Sequence, residues 1–363
     1  FQKYSIDGGP EWETPAVDQT AMIPWGLERH VRHTGDLDLL ASCWPMVEQA
    51  AAVAMGDSGH PGLRMLHDLH LVSSAGIWDQ RYGAFFYSNC SVVAGLRAAA
   101  PALSADAESF RTAAQAILTT DTRTKIVSES RDGWALFGMA KGAAMIGPRM
   151  ATMLAFLTTD ARVSPMTLKS ILSESVEESF NCVSVEGHTS TNDTVLLLAS
   201  GLAGDELSGA GLDRFAATLH DACQTLAQEM AADGEGSTHF IAIDVEGCTD
   251  REEARTLARA VADSPLVKTA IHGADPNWGR IVSAAGYAGI PFEESELSLW
   301  INGVCVYDHG TPTAFDANAL SSNLRANRDV HLRLLFQRGD ASIRFWTCDL
   351  TAEYIHLNAD YTT

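Results

Sequence analysis

Leu212, Phe215, Leu219, Cys223, Leu226 and Met230 recur at the three- and four-residue intervals that put them on one face of a long α-helix. A helix with one continuous apolar face must bury it against another apolar layer. The sequence around it supplies strands for that layer. Residues 240–245, 296–301, 330–337 and 341–348 read as strands, and Arg338-Gly339-Asp340 reads as the turn of a hairpin joining the last two. Ser164-Pro165, an N-cap followed by proline at the first helical position, opens a helix with Leu168, Ile171, Leu172 and Val176 on one face. Thr249 and Glu252 have capping-box spacing for a helix running to about Ala262. From about residue 110 onward the chain is therefore expected to be α+β or α/β.

The first hundred residues differ in texture. Asp36 to Met55 and Asn89 to Ala100 read as helices, in a segment that also carries Pro10, Pro15, Pro24, Pro45 and Pro61, so an all-α segment is expected over residues 1–108. Charge narrows the function classes. With 25 Lys+Arg against 46 Asp+Glu the formal charge is −21, which argues against nucleic acid or an anionic membrane as partner. No apolar run approaches the roughly 18 residues of a membrane helix, while 46% hydrophobic residues suffice for a real core.

The seven cysteines are scattered, with no C-x-x-C spacing, so neither a disulfide framework nor a zinc site is expected, and a reducing cytoplasm is the simplest home. The chain begins at Phe1, and residues 1–20 lack the basic-then-apolar layout of a signal peptide. His30/His33 and His67/His70 are spaced for one helix face but lack a third ligand in register, so no metal is expected; His272 is expected to be structural.

Chemistry concentrates in the Gly/Ala/Met-rich stretch from Met139 to Leu154, which holds one buriable lysine, Lys141, and one threonine, Thr152. A threonine hydroxyl is a poor nucleophile. It becomes an effective one if the peptide bond before it is cut, because the freed α-amine, with a pKa near ~8, can take the hydroxyl proton. The plainer alternative is a threonine satisfied by a backbone carbonyl. Gly187–Thr194 and Gly273–Arg280 lack the glycine-plus-lysine spacing of a phosphate loop and read as tight active-site or interface turns.

Several ordered motifs point to one family. Ala116-Ile117-Leu118-Thr119-Thr120-Asp121-Thr122, Lys141-Gly142, Met150-Ala151-Thr152-Met153-Leu154, Gly187 to Thr194, Asp233-Gly234-Glu235-Gly236, His272 to Ile281 and Asn358 to Thr363 together resemble the ornithine acetyltransferase, or glutamate N-acetyltransferase, family. The resemblance implies a layered α/β fold over residues 109–363, classed as α+β and incomplete in its N-terminal half. It implies self-cleavage between Ala151 and Thr152, giving α and β chains that assemble as an oligomer. Thr152 would then carry an acetyl group from N-acetylornithine to glutamate. Substrate contacts are implied for Thr119, Lys141, Thr152, Glu235, Asn358 and Thr363. By charge, Lys141 would face the substrate carboxylate and Glu235 the ornithine amine. No cofactor is implied, and acetyl-CoA stays open as a co-substrate.

The sequence departs from the family's pattern in one respect. The Ser-Thr-Gly-Val-Ile-Gly stretch that supplies the family's oxyanion hole has no counterpart, and the upstream Thr34-Gly35 lacks its flanking residues. Residues 1–105 instead resemble part of a glucoamylase-type glycosidase, through Trp12-Glu13, Asp18 to Trp25, Thr34-Gly35-Asp36-Leu37, Gly76-Ile77-Trp78-Asp79 and Phe86-Tyr87-Ser88. Glu11, Glu13 and Asp79 are its candidate acids. The alternatives to the acyltransferase are thus a glycosidase fragment, or an inactive chimera without an oxyanion hole.

Overall fold

The computed structural model describes residues 64–66, 71–75, 82–83, 107–144, 146, 153–188 and 193–360. The chain divides into two units, Phe1–Ile117 and Leu118–Thr363. In the first unit β1 (Arg64–Leu66), β2 (Leu71–Ala75) and β3 (Tyr82–Gly83) form a small antiparallel sheet, and α1 spans Ala107–Ala116. An all-α segment is therefore not what the described residues of this unit show. The helices expected at 36–55 and 89–100 lie outside the described residues, as do Glu11, Glu13, Thr34-Gly35 and Asp79.

The second unit holds two sheets. In the first, β4 (Lys125–Arg131), β5 (Trp134–Lys141), β6 (Leu154–Ala161) and β7 (Thr194–Ala203) lie in sequence order, antiparallel except for the parallel β6/β7 pair. The parallel pair needs a crossover, which α2 (Pro165–Glu177) and a 3-10 turn at Phe180–Cys182 provide. Ser164 caps α2 as its sequence suggests, its Oγ accepting from Thr167 N at 3.2 Å. Next comes α3 (Gly209–Ala232), which buries Phe215, Leu219, Cys223, Leu226 and Met230, as the helical spacing predicts.

The second sheet has the order β11-β10-β9-β12-β8-β13, from β8 (Phe240–Cys248), β9 (Leu297–Ile301), β10 (Val304–Asp308), β11 (Thr311–Pro312), β12 (Asp329–Phe336) and β13 (Ala341–Cys348). Between β8 and β9 run α4 (Arg251–Ala262), α5 (Pro265–His272) and α6 (Trp278–Gly286); α7 (Ala317–Ala326) precedes β12 and α8 (Ala352–Asp360) follows β13. The helix α3 touches β4 and β5 of one sheet and β8 and β13 of the other, so its apolar face is the seam of the core. Asp132-Gly133 and Asn302-Gly303 turn β4 into β5 and β9 into β10 with both central residues at positive φ, the backbone of a two-residue hairpin that matches strand twist.

The hairpin expected at 338–340 does not form. β12 pairs with β8 in parallel and β13 pairs with β8 on its other side, so β8 separates the two strands. The link instead wraps the end of β8: Arg338 N and Gly339 N both donate to Gly247 O. Gly247 makes this possible, since at φ +74° it brings its Cα against Phe336 O, where an added Cβ would lie 1.9 Å from that oxygen. The expected cap of α4 is also displaced by one residue. Asp250 is the N-cap, its carboxylate accepting from Glu253 N at 2.8 Å, while the Thr249 hydroxyl donates to the Glu253 carboxylate.

Candidate active site

Lys141 ends β5 and is 4% exposed, an expensive position for an ammonium without partners. Its Nζ donates to Thr119 Oγ1 at 2.9 Å, so two of the expected substrate-contacting residues meet. Burial pulls the Lys141 ammonium below the usual lysine range, with the charges of Asp121 and Asp193 opposing that shift and Lys125 adding to it. Asp121 organises the floor beneath it. One carboxylate oxygen accepts from Lys125 Nζ and from Gly142 N, each at 2.6 Å. Burial works against ionising Asp121, but Lys125 and the Gly142 N–H outweigh it and hold the carboxyl below its ordinary value. Lys125 in turn reaches Asp233 Oδ2 at 2.6 Å, in an ion triad closed to solvent.

The same ladder includes the strand that begins just past the expected scission point. Lys141 lies directly opposite Leu154 in the β5/β6 register, two residues past Thr152. Met153, the residue after Thr152, is held by its backbone: its N–H donates to Asp193 Oδ1 at 2.8 Å and its carbonyl accepts from Thr194 N at 3.2 Å. Ala151, Thr152 and Thr363 lie outside the described residues.

Glu235 and Asn358 form a second contact group. Asn358 Nδ2 donates to Glu235 Oε2 at 3.1 Å and to Tyr354 O at 2.9 Å, which fixes the amide on α8. The start of α8 is seated by Thr351 Oγ1, which donates to Gly236 O at 2.7 Å. The two groups are joined through the backbone, Glu235 N donating to Ala143 O at 2.8 Å, two residues beyond Lys141. A separate open groove of about 320 Å³, lined by Glu178, Asp244, Arg251 and Arg344 among others, includes none of these residues.

Two acids near this group titrate unusually. Burial pushes Glu186 up to about 7 against the Ile146 N–H that its Oε1 accepts, with Lys268 lowering it and Glu235 and Asp263 raising it further. Its Oε2 is buried with no hydrogen-bond partner among the described residues. Burial likewise raises Asp193 to about 6, opposed by the Met153 N–H and Lys141. A carboxyl whose folded pKa is raised stabilises the fold fully below its ordinary value of 4.5 and loses that contribution as pH rises through about 7. Glu186→Gln keeps an acceptor for Ile146 N–H and removes the ionisation. Relative to wild type it is therefore expected to gain about 3 kcal/mol between pH 4.5 and pH 8 in urea unfolding. A stability difference flat across that range would count against it.

Asp121, Lys125, Asp193 and Asp233 are site residues that sequence reasoning did not single out. All but Lys125 sit inside the quoted motifs, yet nothing in the spacing shows that Lys125 and Asp233 pair across 108 positions.

Fold and site together define a mixed α/β protein whose buried lysine, paired acids and tethered strand start converge around the β5/β6 connection. Comparison with known proteins gives that class a family. A sequence model of the ArgJ family matches residues 55–363. The arginine biosynthesis bifunctional protein ArgJ of Rhodopirellula baltica is 44% identical over 281 residues, covering 75% of this chain and 68% of that protein. The protein of the same name from Dehalococcoides mccartyi is 46% identical over 258 residues, 69% of this chain and 63% of its own length. A chloroplastic relative from Ricinus communis is 37% identical across 95% of this chain and 77% of its own length. A crystal structure of arginine biosynthesis bifunctional protein argJ from Bacillus halodurans superposes with a TM-score of 0.54 at 37% identity, covering 56% of this chain and 97% of that one.

The chain belongs to the ArgJ family. It spans about two thirds of the length of the curated relatives it matches. The glycosidase resemblance of residues 1–105 is not supported: the family match begins at residue 55, inside that segment, and the Ricinus alignment reaches across nearly the whole chain.

Proposed function

We propose that this chain is a glutamate N-acetyltransferase of the ornithine acetyltransferase type, acting in arginine biosynthesis. Self-cleavage between Ala151 and Thr152 frees the α-amine of Thr152. That amine takes the hydroxyl proton as Oγ attacks the acetyl carbonyl of N-acetylornithine. The carbon–nitrogen bond then breaks, the proton passes to the departing ornithine amine, and an acetyl ester remains on Thr152. The amine of glutamate attacks the ester, and the Thr152 hydroxyl is restored. Each half-reaction is a simple acyl exchange, so one difficult transfer becomes two easier ones.

The observation that carries this reading is the position of Lys141, buried, bonded to Thr119, and set opposite Leu154 at the start of the strand that follows the scissile bond. Both amino-acid substrates carry an α-carboxylate for that ammonium. Glu235, fixed by Asn358, supplies the complementary charge for the ornithine side-chain amine. Asp193 fixes the backbone of Met153, the residue that follows the proposed nucleophile in the chain.

The fold suits an enzyme whose two halves stay together after cleavage. Scission at 151/152 puts β4 and β5 on the α chain and β6 and β7 on the β chain, yet β5 and β6 share a ladder from Leu136/Thr159 to Lys141/Leu154. The buried Lys125–Asp233 pair spans the same break. This shared ladder supports an assembly of α and β chains. Among the described residues no helix is long and apolar enough to cross a membrane, and the five described cysteines are free, which suits the reducing cytoplasmic setting of this reading.

Mass spectrometry of the purified protein tests the proposal. Under denaturing conditions two fragments meeting at Ala151/Thr152 are expected, co-eluting as one species on native size exclusion. The fragment beginning at Thr152 should gain one acetyl group from N-acetylornithine and lose it to glutamate, with acetyl-CoA assayed alongside as the second donor this reading allows. An intact chain that never acquires an acetyl group would instead support an inactive chain lacking the oxyanion-hole stretch.

A further inference from the structure

We propose that Thr238, His239, His272 and Asp349 form a binding site for one transition-metal dication of the zinc class. The four residues come from three elements that the core holds together. Thr238 and His239 immediately precede β8, Asp349 immediately follows β13, and these strand ends are paired through Phe240 and Cys348. His272 ends α5, which is pinned to the same corner by Lys268 Nζ, donating to Thr347 Oγ1 at 2.7 Å and to the Cys348 carbonyl.

Their donor atoms converge on one point. Asp349 Oδ2 lies 3.0 Å from His239 Nδ1, 3.1 Å from His272 Nδ1 and 2.5 Å from Thr238 Oγ1. Thr238 Oγ1 is 3.1 Å from His239 Nδ1 and 3.2 Å from His272 Nδ1. The two histidine nitrogens are within 4.8 Å of each other. A tetrahedral centre with ligands at about 2.0–2.1 Å has corners roughly 3.3 Å apart. Four of the six edges, at 3.0–3.2 Å, are close to that size, and the Asp349–Thr238 edge is shorter.

The hydrogen-bond partners around the cluster add to this geometry. His239 Nε2 is 3.2 Å from Leu324 O, an atom that can only accept, so Nε2 carries the ring hydrogen. With Nε2 engaged, Nδ1 is the ring nitrogen left to ligate, on a side chain nine-tenths buried and facing a carboxylate oxygen of Asp349 that is fully buried. Asp349 Oδ1 is already occupied by the backbone N–H groups of Thr238 and His239. Either a proton on Nδ1 or a dication can bridge the 3.0 Å between Nδ1 and Asp349 Oδ2, and an exposed His272 leaves one side of the point reachable from solvent.

Imidazole nitrogens with one carboxylate select a zinc-class ion over calcium or magnesium, which prefer all-oxygen sites. The surplus of acidic residues on the chain favours cation uptake as well. No spacing motif announces the site, because its members are separated by 34 and 77 positions.

The test uses the full chain, stripped with chelator and titrated with ZnCl2 by calorimetry, and with Co2+ by visible absorption. One equivalent of zinc per chain is expected, with the intense visible bands of tetrahedral Co2+. His272→Ala removes the exposed ligand and should weaken zinc binding by at least about 10–100-fold and abolish those bands. Far-ultraviolet circular dichroism checks that this variant is folded, and Asp349→Asn serves as the second variant. A proton held on His239, in place of a metal, would show as a stripped protein that takes up no zinc. That result, or zinc uptake unchanged in folded His272→Ala, overturns the proposal.

Discussion

Thr152→Ala is expected to purify as a single uncut chain and to transfer acetyl groups at least about 10⁴-fold more slowly than wild type, the scale seen when a covalent nucleophile is removed. Both losses have one cause. In the proposed mechanism the hydroxyl that attacks the preceding carbonyl during self-cleavage is the one that later accepts the acetyl group, and the amine that would activate it exists only after the cut. Thr152→Ser separates chemistry from packing, since it retains hydroxyl and future amine while dropping one methyl group. It should cleave and transfer measurably. A third variant, Asp193→Ala, releases the Met153 N–H that fixes the backbone beside the nucleophile, and gives a control in which the hydroxyl is present but its position is not. Retained cleavage and retained acetyl transfer in Thr152→Ala would falsify the nucleophile assignment outright.

Local signals in the sequence translated well where one physical effect dominated. The α3 stripe is such a case: six apolar positions at helical spacing have no second solution, and five of them are buried. The Ser164-Pro165 start of α2 is another, because the cap bond is made within four residues. Legibility failed where two local solutions were close. Thr249 and Asp250 can each cap α4, and the carboxylate takes the role. It failed again where topology overrode a turn. Arg338-Gly339-Asp340 is a competent hairpin link, but β8 offers both flanking strands a buried partner, so the link spans β8 instead. The turns that do make hairpins, Asp132-Gly133 and Asn302-Gly303, carried a stronger signal that the strand assignment passed over. In the site, family resemblance singles out Lys141, Thr119, Glu235 and Asn358, and the structure brings Lys141 onto Thr119 and Asn358 onto Glu235. Their support was not legible, since the Lys125–Asp233 pair and the His239–Asp349 contact depend on long-range folding that leaves no periodic trace.

The second large effect is expected at Lys141. Lys141→Met should lower kcat/KM for N-acetylornithine and for glutamate alike, by roughly 10²–10³-fold, because truncating one partner of a buried charge pair costs about 2–5 kcal/mol. The loss should fall mainly on KM, since the α-carboxylate is present in each substrate before any bond changes. Methionine suits the test because it fills the stem of the lysine, and because Asp121 keeps Lys125 and the Gly142 N–H as partners, so no buried acid is orphaned. Lys141→Arg is not expected to rescue: the site is 4% exposed, and a guanidinium needs more room and a different fork of acceptors than Thr119 Oγ1 offers. The pH profile supplies a reading that a merely structural role would not move. Burial lowers the lysine below its ordinary 10.5, so the wild-type ammonium discharges earlier on the alkaline side than a surface lysine does. KM should therefore rise with pH on that limb in the wild type, and the limb should vanish in Lys141→Met. An unchanged kcat/KM for both substrates, in a variant that melts like the wild type, would remove Lys141 from the binding site.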